Sequence, residues 1–394
     1  MDALLKWRKE FPILKKSTYL ISNSLGAMPA SVSDRMAEYA ETWASRGVRA
    51  WPETWWEMST TVGDAVAPLI GAKRGEVSMH ANISALQAML VSCFNFKGKR
   101  NKIVYSDLEF PSVMYVYQEF AKSLGARINI VKTDDGISVP TEKILDAIDD
   151  STLLVPISHV LFKSAYVQDV KPIVEKAHKH GAIVILDAYH SVGIMPVDVR
   201  KLGVDILVGG VLKWLCGGPG GAFLWVHPSL QRTLTPKITG WMAHEHPFAF
   251  APEMEFDQTP RRFLNGTPSI PSLYAAAEGP KIIRRVGISA IRKKSLHQTD
   301  LIIRKAKEYG FTVVSPLNPK ERGGTVTVAV PHAYEVSQEL LRREIIVDFR
   351  EGAGIRIAPH FYNSDDEVLH ALDEIRSIVS SKSFKKPARR SIVT

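Results

Sequence analysis

The sequence predicts an α/β protein: a large domain on a mostly parallel, helix-covered sheet, then a smaller C-terminal α/β domain. Short β-branched runs alternate with helical stretches from Gly71 to about Gly221, the pattern of a parallel sheet covered on both faces. After Gly266-Thr267-Pro268 the texture changes, with two long helices before the next strands. The 394 residues, 45% hydrophobic and 23% charged, can bury a core of that size.

Taken in order, Met1–Pro68 reads as an arm plus a long helix, Val32 to Trp43. A helix entered at Asn82-Ile83-Ser84 runs to Cys93. The expected strands of the large sheet are Asn101–Tyr105, Arg127–Val131, Thr152–Ile157, Ala182–Leu186, Ile206–Val208 and Ala222–Val226. Then come a helix Leu273–Val286, a helix Ile288–Glu308, and strands Thr312–Val314 and Thr325–Ala329. A helix Tyr334–Arg343, a strand Ile346–Phe349, the segment Gly354–Ile357 and a helix Asp365–Ser380 complete the small domain. These give expected units of residues 1–70, 71–270, 271–381 and a basic tail, 382–394.

Composition excludes several classes. No stretch approaches about 18 uninterrupted apolar residues, so no membrane span is expected. The charged N-terminus lacks a secretory pattern, which predicts a cytoplasmic protein. Two cysteines, Cys93 and Cys216, make neither a disulfide framework nor a metal cluster. Of the net charge of +9, five positive charges lie in the tail at Lys382, Lys385, Lys386, Arg389 and Arg390, leaving +4. That surplus suits anionic small molecules, and no nucleic-acid-binding signature is present.

In open α/β sheets ligands sit beyond the carboxyl ends of the strands, so residues there are searched first. Asp187 ends the apolar run Ala182-Ile-Val-Ile-Leu and needs a cationic partner. Lys213 follows the apolar strand near Ile206 and precedes Gly217-Gly-Pro-Gly-Gly221. A lysine among apolar and glycine neighbours can have its pKa lowered enough to form a Schiff base. An acid that protonates a pyridine nitrogen, with such a lysine, is what pyridoxal phosphate (PLP) requires. The helix start at Ser84 offers backbone donors and a hydroxyl to a phosphate. Phe110 follows the strand Asn101–Tyr105 and is placed to stack on a ring.

The chain resembles class V, fold-type I PLP enzymes, most closely the kynureninases. The resemblance rests on Ser22-Asn23-Ser-Leu-Gly26, Phe110-Pro-Ser112, Asp187-Ala-Tyr-His190 and Lys213 with its glycines. Thr239-Gly-Trp241, Gly266-Thr267-Pro268 and Gly354-Ile-Arg356 to Asn363 complete it. It implies a seven-stranded sheet, Lys213 as the Schiff-base lysine, Asp187 as the pyridinium partner, Phe110 on the ring face and His190 within hydrogen-bond reach of the cofactor. It implies Ile83 and Ser84 on the phosphate, with Trp241 and Thr267 reaching it across a homodimer interface. Arg356 would clamp the carboxylate of an amino acid substrate, with Asn23 and Trp51 also on the substrate side. For Arg356 the alternative is a surface ion pair with Asp348 or Glu351.

The chain also departs from the kynureninase pattern. Leu212 replaces the tyrosine before the lysine, Val113 replaces an acid, and Lys163 stands where a tyrosine is expected near the cofactor. A substrate-binding histidine is absent from the segment holding Arg46, Arg49 and Trp51, followed by Trp55 and Trp56. Those side chains either bind an aromatic or anionic group or pack as core. The rival readings are an aminotransferase, an epimerase or a C–S lyase using the same cofactor residues.

Overall fold

A computed structural model describes residues 2–385; of the basic tail, residues 386–394 lie outside the described residues. The large sheet has seven strands: β1 (Val77–His80), β2 (Lys102–Ser106), β3 (Arg127–Val131), β4 (Thr152–Ser158), β5 (Ile183–Asp187), β6 (Ile206–Gly210) and β7 (Ala222–Val226). Their spatial order is β1-β7-β6-β5-β4-β2-β3. The pairs from β6 through β3 are parallel, and β7 runs antiparallel to both neighbours. Val184, Ile185 and Leu186 are all wholly buried, which is why β5 reads as a continuous apolar run rather than an alternating one.

The chain leaves β2 for β3 at one edge and returns to β4 on the other side of β2. That reversal opens a crevice at the carboxyl ends of β2 and β4, where ligands of doubly wound sheets bind. The loops after β2, β4, β5 and β6 all empty into it.

A second sheet is fully antiparallel, ordered β10-β11-β9-β8 from β8 (Thr312–Val313), β9 (Val326–Ala329), β10 (Asp348–Arg350) and β11 (Gly354–Ile357). Helices Ile288–Glu308, Ala333–Arg342 and Asp365–Ser381 supply its core through Ile302, Leu340 and Leu372. The N-terminal arm joins these elements: Thr18–Tyr19 pairs in parallel with Ile345–Ile346, and Arg8 is bonded to Glu367 at 2.6 Å.

Three elements differ from expectation. β1 was unforeseen. The helix expected over Leu273–Val286 is two, Ile270–Ala276 and Glu278–Val286, because Pro280 has no N–H for the Ala276 carbonyl. The strand expected over Ile346–Phe349 is divided, its first part pairing with the arm and its second with β11. No helix among the described residues is long and apolar enough to cross a membrane.

Candidate active site

A cavity of about 210 Å³ lies at the crevice, lined by Ser84, Phe110, Phe162, Asp187, His190 and Lys213 among others. Asp187 closes β5, opposite Ser158 in the ladder. Its carboxylate accepts the Tyr189 N–H at 2.9 Å. Burial raises its pKa, against the Tyr189 bond and the Lys213 charge, which lower it.

Lys213 stands three residues past β6. The backbone beside it is fixed by the Gly26 N–H, which donates to the Leu212 carbonyl at 2.9 Å. A Cβ on Gly26 would lie 2.1 Å from the Lys213 carbonyl oxygen, so only glycine permits this approach. Lys213 Nζ donates to His190 Nε2 at 2.6 Å and lies 4.5 Å from the Tyr189 ring centroid and 5.4 Å from that of Phe110. Burial, then the Arg356 charge, lowers the lysine pKa. Burial, then the Lys213 charge, holds His190 far below its ordinary range, so its ring is neutral.

The helix Ile83–Ser92 begins at the cavity wall. Its N-cap is Asn82, whose side chain accepts the Ala85 N–H at 2.9 Å; Ser84, exposed, is not the cap. The Ile83 and Ser84 amides head this helix, the geometry that receives a phosphate. The amine, the buried acid, the half-open face of Phe110 (40% exposed) and the helix start together fit a planar, phosphorylated aldehyde such as PLP.

A family model for class V aminotransferases matches residues 18–361. The chain belongs to the class V aminotransferase family. It is 33% identical to the kynureninase of Burkholderia pseudomallei (strain 1106a), over 100% of this chain and 97% of that protein. It is also 33% identical to YcbU of Bacillus subtilis (strain 168), an uncharacterized aminotransferase, over 94% and 96%. A solved structure of C-DES with glycine linked to its PLP cofactor has the same fold, with TM-score 0.85 at 17% identity over 96% of this chain and 99% of that one.

Against this class V frame, several residues singled out in the sequence lie outside the cavity. Arg356 is on β11, 2% exposed, with Nε and Nη2 on Asp348 and Nη1 on the Phe162 carbonyl. The pair with Asp348 is therefore a buried one, not a surface one. Asn23 is 1% exposed, and neither side-chain amide atom has a hydrogen-bond partner. Such a group needs a polar ligand or neighbour.

Trp51 packs edge-on against Trp55 at 5.5 Å, and Trp55 donates to the Tyr274 hydroxyl; these two tryptophans are core, not cavity wall. Arg46 pairs with Glu53 at the surface. Trp241 meets Trp56 at 5.3 Å and Phe248 edge-on at 5.9 Å, and Thr267 lines a separate cavity with Ser59 and His80. Lys163 does not line the cavity; its Nζ lies 5.8 Å from the Phe162 ring, and Phe162 takes the cavity position instead.

Sequence reasoning missed Tyr189, Phe162 and Glu109. Glu109 is buried beneath the crevice, accepting the Ser106 hydroxyl and the Ser158 N–H, both at 2.7 Å. Burial pushes its pKa up to about 7, and the Asp187 charge adds to that. Only its place beside Phe110 hinted at it.

Proposed function

We propose that the protein is a PLP-dependent enzyme acting on an amino acid, with a kynureninase-like hydrolysis that cleaves Cβ–Cγ of an aromatic amino acid and releases alanine and an aromatic acid. The observation that carries this reading is the convergence of Lys213, Asp187 and His190 in one buried cavity of a class V chain. The full-length likeness to a kynureninase supports the reaction type.

When bound, PLP supplies an electron sink for charge developing at the substrate Cα. Lys213 would hold the cofactor through its amine, and its Nζ is the group placed to take the α-proton of the substrate. Its pKa, lowered to about 7, makes the neutral amine a major form at neutral pH. Asp187 holds a proton on the ring nitrogen, and Phe110 covers a ring face. His190 accepts a hydrogen bond from Lys213 and keeps the amine oriented. The amides at Ile83 and Ser84 receive the phosphate. Arg356 receives the substrate carboxylate, and the Asn23 amide is a second polar contact. Trp241 and Thr267 would complete the phosphate site of a partner subunit in a homodimer.

The second reading is aminotransfer, which the likeness to YcbU supports. Incubation with L-kynurenine, 3-hydroxykynurenine, cysteine and a set of amino acid and keto acid pairs separates them. Alanine plus an aromatic acid is the expected outcome. A new amino acid, or pyruvate, without any aromatic acid contradicts the hydrolase reading and leaves the cofactor chemistry.

A further inference from the structure

We infer that Phe162 selects the substrate side chain, favouring apolar and aromatic amino acids, and that Arg356 fixes the loop carrying this ring. The inference rests on the amino acid reading above. The loop leaving β4 is closed on itself: Leu161 N–H donates to the Tyr166 carbonyl at 2.8 Å, and Ala165 N–H to the Leu161 carbonyl at 2.9 Å. It is then gripped from the second sheet. Arg356 Nη1 donates to the Phe162 carbonyl and Thr327 Oγ1 to the Lys163 carbonyl, each at 2.6 Å. Thr327 and Arg356 are partners across the β9–β11 ladder, so two consecutive carbonyls are held by one cross-strand pair.

With its carbonyl on Arg356, Phe162 contributes to the cavity wall and meets the Phe110 ring edge-on at 5.2 Å and 84°. A guanidinium has five N–H donors. Asp348 takes one on Nε and one on Nη2, and Phe162 takes one on Nη1. These three bonds lock the guanidinium between the second sheet and the loop after β4. Phe162, with Val160 and Leu212, gives the cavity an apolar wall for a substrate side chain to meet. A charged side chain would be desolvated against that wall without a partner, since Lys163 does not line the cavity.

The test is equilibrium titration of the holoenzyme with L-phenylalanine, L-alanine and L-aspartate, read from the cofactor's visible band and not from turnover. Wild type is expected to bind L-phenylalanine at least about tenfold more tightly than the other two. In Phe162→Ala that preference falls to about threefold or less, the larger loss falling on L-phenylalanine. Phe162→Leu keeps most of the preference. An equal loss for all three ligands, or an unchanged preference in Phe162→Ala, overturns the inference and leaves the enzyme reading intact. A wild-type band that no amino acid perturbs overturns both.

Discussion

Lys213 is a buried amine whose nearest polar neighbour is a neutral imidazole, and the guanidinium of Arg356 acts on it through space. Both effects disfavour the ammonium, so the neutral amine dominates above about pH 7 rather than above the 10.5 of a free lysine. Protein stripped of cofactor should therefore capture added PLP at a rate that climbs through about pH 7 and then levels off, followed by absorbance after stopped-flow mixing. A rate still climbing toward the range of a free lysine contradicts this. Lys213 and Asp187 were legible in the sequence because each ends or follows an uninterrupted apolar strand, where a charge has few structural explanations. Trp51 and Trp55 were not, because an aromatic beside an arginine looks the same in a binding site and in a core; only the Tyr39 and Tyr274 contacts on Trp55 decide it. Phe162 was overlooked beside the more conspicuous charge of Lys163.

The helix Ile83–Ser92 serves stability through its cap and, under the proposed function, binding, and two substitutions at that cap separate the roles. Asn82→Ala removes the acceptor for the Ala85 N–H and should lower the unfolding free energy by about 1 kcal/mol in denaturant titrations. Asn82→Asp caps equally well but brings a negative charge to the phosphate seat. It should keep the stability within a few tenths of a kcal/mol while weakening cofactor retention in dialysis; retention equal to wild type would contradict the phosphate assignment. Gly26→Ala should lose cofactor as well, because the added methyl displaces the Lys213 carbonyl. Strands β3 and β7 match their sequence boundaries, and β2, β4, β5 and β6 fall within two residues: most are continuous apolar runs, and half-exposed β3 alternates apolar and polar residues. Strand β1 escaped notice because Val-Ser-Met-His contains one β-branched residue. The two-residue strands Thr18–Tyr19 and Ile345–Ile346 are too short for any periodicity to show.

Across the whole molecule, the antiparallel sheet grips the crevice of the parallel one through the buried group of Asp348, Arg356 and the Phe162 carbonyl, with Arg350 on the same aspartate at 3.0 Å. Asp348→Ala leaves two guanidiniums without that aspartate and should reduce unfolding free energy by about 3–5 kcal/mol. A loss below about 1 kcal/mol in denaturant unfolding would show that the grip contributes little. The Arg356–Asp348 pair stood in the sequence as one alternative, but its burial and its hold on the Phe162 carbonyl did not, since pairings between distant segments leave no local mark. The alternation of strands and helices gave the architecture, and the family motifs gave the residues at its carboxyl edge. The account depends most on a covalent hold at one amine, and borohydride reduction of the purified protein, followed by digestion and peptide mass mapping, tests it directly. The expected result is PLP fixed to the peptide containing Lys213 and absent from Lys213→Ala; cofactor fixed on another lysine, or on none, would contradict it.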